Sequence, residues 1–208
     1  MLTKPYLNRK QVKRQPQRGI SLVMVMIVLT IVSLLGIAGI QISSQGERSA
    51  RNDRDLQIAW QSAEAALLDA QTDIKGTGTV VSPARQLIFI ERSDSLFVDG
   101  CGISGIANAG LCKLNMTGKP AWLAVDFTDT SNAARTTMYG AETGRTFAAG
   151  AAGLQPSQSP RYVIEPLEDR VANRDLSSPT VTIMYRITAM GFGPRAHIQA
   201  VLQEVFRP

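Results

Sequence analysis

The sequence predicts an α+β protein: one long N-terminal helix whose C-terminal half packs on an antiparallel β-sheet of about four strands. Three observations carry that prediction. Residues 20–40, ISLVMVMIVLTIVSLLGIAGI, contain no charged side chain. From Gln41 to Lys75 there is no proline, and apolar residues recur on the helical period. Near the C-terminus, two segments rich in β-branched residues flank Gly191-Phe192-Gly193-Pro194-Arg195, a hairpin-type connection.

The elements follow in chain order. Residues 1–19 read as a basic leader. Lys4, Arg9, Lys10, Lys13, Arg14 and Arg18 lie there with no acid among them, and Pro5 and Pro16 oppose regular structure. The formal charge of +5 is concentrated in this leader, and the rest of the chain is close to neutral. That distribution excludes a nucleic-acid partner, which calls for a basic patch with interleaved aromatics on the folded part. A basic run beside an apolar run is instead an orientation signal. It keeps the N-terminus in the cytoplasm and sends the C-terminus outside. At 1.5 Å per residue, residues 20–40 span roughly the 30 Å of a hydrocarbon core. Their polar side chains, Ser21, Thr30 and Ser33, can bond back to helical carbonyls.

Residues 41–75 continue the helix as an amphipathic segment. Leu56, Ala59, Trp60, Ala63, Ala66, Leu67, Ala70 and Ile74 form one stripe. A coiled-coil seam would show the same spacing, but four alanines favour close approach of a sheet. Leu56, Ala59, Trp60, Ala63 and Leu67 are therefore the expected helix–head contacts, with Trp60 as a core anchor. Glu64 reads as a solvated or head-facing residue. Glu47–Arg51 and Arg51–Asp55 are spaced for surface ion pairs. Gly76, followed by Gly78, is the expected stop.

Residues 76–208 read as the head. Strands are expected at 87–91, 122–127, 162–167, 181–190 and 196–206, and irregular surface at 131–160. Cys101 and Cys112 are too few for a zinc site. Outside the cytoplasm they would close a disulfide, and in a reducing compartment they would be two buried thiols. His197 is the single histidine and has no nucleophile motif beside it. The acidic pairs Asp53/Asp55 and Glu168/Asp169 lack the other ligands of a calcium loop and read as solvated turns. Gly191-Phe192-Gly193 has the wrong context for a phosphate loop. No enzyme, metal or cofactor is predicted.

The junction Arg18-Gly19-Ile20-Ser21-Leu22-Val23 resembles the signal of type IV prepilins. In that signal a membrane peptidase cuts after the glycine and methylates the new amine. The resemblance implies cleavage between Gly19 and Ile20, with N-methylation of Ile20. The segments 47–52 and 56–67, and Tyr185-Arg186-Ile187-Thr188-Ala189 near the C-terminus, are similar to PilX-type minor pilins. The implied fold is a pilin fold. The implied function is a minor subunit that takes part in starting pilus assembly, at or near the tip, and modulates adhesion, aggregation or twitching motility. Implied partners are prepilin peptidase, inner-membrane lipid, the major pilin, other minor pilins and a large tip-associated adhesin. The head would lie in the periplasm of a Gram-negative cell before assembly, and on the surface filament afterwards.

Two departures from the general pilin pattern stand out. Met24 occupies the position where major pilins carry a glutamate, and Gln41 stands where many carry a proline. Met24 is either one more lipid-facing side chain or the mark of a subunit with no neighbouring amine to neutralise. Two alternatives fit the same anchor: a minor pseudopilin of a type II secretion system, or a signal-anchored periplasmic binding domain cut at Gly36-Ile37-Ala38.

Overall fold

The computed structural model describes residues 20–79, 82–91, 93–150, 153–169 and 183–208. It divides into two units, Met1–Ser49 and Ala50–Pro208. The leader, Gly19 included, lies outside the described residues.

The described part of the first unit, residues 20–49, is the beginning of helix α1 (Ile20–Lys75), and every one of its side chains is exposed. Its hydroxyls are satisfied internally. Thr30 Oγ1 donates to the Ile27 carbonyl at 2.8 Å, and Ser33 Oγ to that of Leu29 at 2.7 Å. This is how a polar side chain is accommodated in an apolar helix. Gln41 continues the helix without interruption.

The second unit holds the rest of α1, then α2 (Pro83–Glu91), α3 (Ala121–Ala124), β1 (Thr137–Met138), β2 (Arg161–Glu168), β3 (Ile183–Phe192) and β4 (Gln199–Phe206). The strands form one antiparallel sheet in the order β1-β2-β3-β4. The fold is thus the predicted α+β arrangement of a long helix and a four-stranded sheet. Helix α1 ends at Gly76, whose φ of 65° is open to glycine at little cost. The Thr77 amide bonds the Thr72 carbonyl at 3.2 Å and the Gly76 amide that of Asp73 at 3.1 Å, a Schellman closure.

The main core lies between helices and sheet. Ala66, Leu67, Ala70 and Ile74 of α1 meet Ile88 and Phe89 of α2 and Tyr162, Ile164, Tyr185, Ile187 and Ala189 of the sheet. Phe89 stands edge-on to Tyr185, with ring centroids 5.3 Å apart. Gly191 sets the closest approach of helix and sheet. A Cβ there would collide with the Ala59 carbonyl oxygen and the Ala63 amide nitrogen. The opposite face of the sheet is also covered: Val163 and Met190 pack against Cys101, Cys112, Ala121, Trp122, Val125 and Phe127. Strand β2 is therefore buried on both faces, as its unbroken apolar run Tyr162-Val163-Ile164 requires.

Several expected elements are corrected. Residues 87–91 are not a strand but the end of α2. Arg85, Ile88 and Phe89 point inward at helical spacing, while Leu87 and Ile90 point outward. Pro83 suits the first turn of that helix, where its missing N–H costs nothing. Residues 122–127 are also not a strand. Pro120 starts a single turn, α3, and the chain then crosses the far face of the sheet without joining the ladder. The expected strand 162–167 is extended to Arg161–Glu168. The strand expected at 181–190 runs from Ile183 to Phe192, and residues 181–182 lie outside the described set. The one expected at 196–206 begins at Gln199. Residues 131–160 are not only irregular surface: they contribute β1 and the buried Ala134, Thr136, Thr137, Tyr139 and Thr143. Of that stretch, residues 151–152 lie outside the described set.

Candidate functional site

Ile20 and Met24 both stand on the exposed apolar helix, 66% and 62% accessible. No other described residue approaches Gly36, Gly39 or Gly46. An uncharged helix exposed on every side is stable only where water is absent, in lipid or against other apolar helices.

Within the second unit, Ala59, Ala63 and Leu67 are buried. Leu56 and Trp60, expected in the core, are instead 46% and 50% exposed. The Trp60 indole N–H donates to the Glu64 carboxylate at 2.9 Å, out on the surface. The buried face keeps Ala59, Ala63, Ala66, Leu67, Ala70 and Ile74 of the predicted stripe and extends from them, away from Leu56 and Trp60, to Asp55, Ser62, Asp69 and Asp73.

These three aspartates tie the helix to the head, each in a different way. Asp73 receives Arg85 Nη2 at 2.7 Å, Arg85 Nε at 2.9 Å and the Tyr162 hydroxyl at 3.0 Å. Arg85, 1% exposed, also donates to the Ala107 and Ala109 carbonyls. Burial alone would lower the pKa of this guanidinium, but the charges of Asp73 and Glu142 reverse that and raise it. Burial pushes the Tyr162 hydroxyl and the Glu142 carboxyl up. Asp69 accepts from Thr143 Oγ1 at 2.6 Å and from the Gly140 amide at 2.7 Å. Its carboxyl is raised by burial, against the pull of those two donors. Asp55 accepts from Arg195 at 2.8 Å and from Arg54 at 3.0 Å. Both arginines are half-exposed, so Asp55 is shielded by its partners more than by depth. Hydrogen bonds from Arg195 and then Arg54 hold its carboxyl below the ordinary value. The expected solvated turn at Asp53/Asp55 is thereby corrected for Asp55. Asp169 departs in the same way, buried 2.6 Å from Arg207. His197 sits exposed in the β3–β4 turn and not in a strand.

Asp69 and Asp73 stand one turn apart, like charges that oppose each other on an isolated helix. That spacing, in line with Asp55 on the same face, was a sequence signal for buried cationic or hydroxyl partners. Nothing in the pattern named Arg85, Thr143 or Arg195. Glu165 and Arg186, register partners on β2 and β3, form a further pair at 2.9 Å beneath the far-face loops.

Cys101 and Cys112 form a disulfide. The loop it closes is fixed to β2: the Ile164 amide bonds the Gly110 carbonyl, and the Cys112 amide bonds the Ile164 carbonyl, each at 2.9 Å. Arg135 reaches across to the Gly100 and Cys101 carbonyls.

An exposed apolar helix leading into a sheet-bearing head stapled by a disulfide defines a filament-subunit class, the pilins. The chain matches two family models: residues 18–68 match PilX N-terminal, and residues 108–208 match the C-terminal part of type IV pilus assembly protein PilX. It belongs to the PilX family of type IV pilus minor pilins, structural components of the filament. No match was found among curated proteins, and none among solved structures.

Proposed function

We propose that this pilin takes part in starting pilus assembly and occupies a position at or near the tip. The carrying observation is the uncharged helix at residues 20–40, exposed on all sides, whose sequence follows directly on the basic run that ends in Arg18-Gly19. Prepilin peptidase cuts between Gly19 and Ile20 and methylates Ile20. The apolar helix then holds the subunit in the inner membrane, with residues 76–208 in the periplasm. On assembly the same surface leaves lipid and packs on helices of the major pilin and other minor pilins. Both surroundings are apolar, so burial is exchanged and not lost. Helix packing and head contacts then decide the order of subunits.

Met24 supports the tip position. A carboxylate in hydrocarbon is costly unless paired, and in major pilins it draws in the amine of a neighbour. A methionine at this place neither needs nor recruits that partner. The loops over the far face of the sheet offer surface for adhesion, aggregation or motility contacts, including contact with a tip-associated adhesin.

The test is Gly19→Glu in the native cell. The expected result is a chain that keeps its leader, stays in the inner membrane, and is missing from sheared pili, with fewer pili per cell. Normal processing and normal piliation would contradict the proposal.

A further inference from the structure

We infer that the outer edge of β4 is a docking site for an extended segment of a different filament subunit, which adds a fifth strand to the sheet. The nature of the partner rests on the pilin reading above; the open edge does not.

The direction of each backbone group fixes this edge. Ile164 of β2 turns its N–H and C=O to residues 110 and 112, away from β3. Groups alternate along a strand, so Arg161, Val163, Glu165 and Leu167 bond β3. Their register partners on β3 are Met190, Thr188, Arg186 and Met184. The remaining β3 residues, Gly191, Ala189, Ile187 and Tyr185, therefore bond β4, through Ala200, Leu202, Glu204 and Phe206. The Gly193 amide on the Ile198 carbonyl, at 2.8 Å, has the same parity. Gln199, Val201, Gln203 and Val205 are left with backbone groups aimed outward, and no described residue pairs with them. The opposite edge of the sheet is treated differently, because β1 and residues 110–112 cover β2.

Edge strands in soluble domains are normally blunted by lysine, proline or an inward charge. Strand β4, QAVLQEVF, has no lysine or proline. Its one inward charge, Glu204, is taken up by α1, accepting from Gln71 at 2.8 Å, and does not block the outward backbone groups. Val201 and Val205 are exposed.

Helix α1 overhangs the same edge. Trp60 precedes Gln71 by three turns, which places the two within roughly 20° on the helical wheel. Gln71 bonds β4, so Trp60 projects on the β4 side of the helix, with Leu56 one turn before it. The contacts stop at Ala59 with Ile198 and Ala200. Trp60 and Leu56 are half-exposed because the sheet ends one strand short of covering them. A strand about 4.8 Å beyond β4 would continue the sheet beneath both. Its helix-side residues would be apolar, to meet Trp60 and Leu56. Those on the other face would be small or β-branched, beside Val201 and Val205.

A second copy is a poorer occupant. Ala59 lies by Ile198 and Ala200, and Lys75 stacks on Phe206, so α1 and β4 run in the same direction. The antiparallel pairing that sets Val201 against Val205 of another copy would turn the two helices opposite ways. Two chains anchored by their N-termini in one membrane do not permit that.

The experiment places a photo-cross-linking p-benzoylphenylalanine at Val201 of the full chain, in cells assembling pili, with Met116 as an exposed control site. Cross-linked peptides are sequenced by mass spectrometry. The expected product joins Val201 to one extended segment of a different pilus subunit, with nothing equivalent from Met116. Gln203→Pro removes an outward N–H while leaving the β3 ladder intact, and Val205→Lys places a charge at the rim. Each is expected to lower the Val201 cross-link at least about tenfold in a chain that keeps its disulfide and membrane location. An unchanged yield in both variants overturns the proposal. So does a Val201 product made only with residues 170–182 of the same chain, only with a second copy, or not at all. A chain found in sheared pili without the cross-link refutes the edge alone. A heterologous strand cross-linked to a chain never found in pili refutes the filament reading and the partner drawn from it.

Discussion

Removing the Asp73 carboxylate tests the helix–head tie most severely. Asp73→Ala deletes the acceptor for three donor groups, Arg85 Nε and Nη2 and the Tyr162 hydroxyl. Arg85 is 1% exposed and cannot turn to water. Its remaining partners are two carbonyls and Glu142, whose carboxylate lies 3.9 Å from Nε. Breaking a buried ion pair from one side costs about 3–5 kcal/mol, because the other charge is left uncompensated. Glu142 offsets part of this, so about 3 kcal/mol is expected. That is a large share of the 5–15 kcal/mol typical of a domain. The assay is urea unfolding of the full chain in detergent, followed by circular dichroism. The double change Asp73→Leu with Arg85→Met replaces the ion pair by apolar groups, leaves the Tyr162 hydroxyl and the Ala107 carbonyl without these partners, and is expected to recover part of the loss. A loss below about 1 kcal/mol for Asp73→Ala, or a double variant as unstable as the single, would refute the argument.

Three more outcomes follow from the same structure. Cys101→Ser with Cys112→Ser opens a loop of sequence separation 11. It is expected to cost about 2–3 kcal/mol in the same unfolding assay, and oxidised and reduced wild-type protein should differ by that amount. Gly191→Ala drives a methyl into the Ala59 and Ala63 backbone and is expected to cost about 1–3 kcal/mol, read as a lowered urea midpoint. The Asp55 carboxyl is held below its ordinary value of 3.8, first by the Arg195 hydrogen bond. The unfolded state therefore binds this proton more readily. The stabilisation Asp55 provides is present above pH 3.8 and lost as the pH falls through the folded value. Asp55→Asn should flatten the acid limb of a stability–pH profile; an unchanged limb would contradict the assignment.

The parts of the fold that were legible are those governed by local pattern. An uncharged run followed by a proline-free amphipathic run can only be a helix, and Gly76 marks its end. The β3–β4 hairpin was visible because β-branched residues alternate on both sides of a glycine-bearing turn. Short apolar runs were not decidable locally. Leu87-Ile88-Phe89-Ile90 suits a strand or a helix equally, and the burial of Arg85 against Asp73 settles it. At the helix–head interface the period and most of the stripe agree with the structure, Ala59, Ala63, Ala66, Leu67, Ala70 and Ile74 being buried, and only its edge, Leu56 and Trp60, faces out. Leu56 and Trp60 read as core only where hydrophobicity alone measures burial. The buried side of the helix also carries aspartates whose partners lie 12, 74 and 140 residues away. Hydrophobic patterning carries no information on such distant partners.

The proposed role requires an apolar helix that survives processing and passes from membrane to filament. The most direct measurement is the intact mass of the chain recovered from sheared pili of the native cell. A chain that begins at N-methylated Ile20, keeps residues 20–40 and retains the Cys101–Cys112 disulfide is the predicted result. A chain that still bears its basic leader, or one that begins beyond Ala38 and has lost the helix, would contradict it.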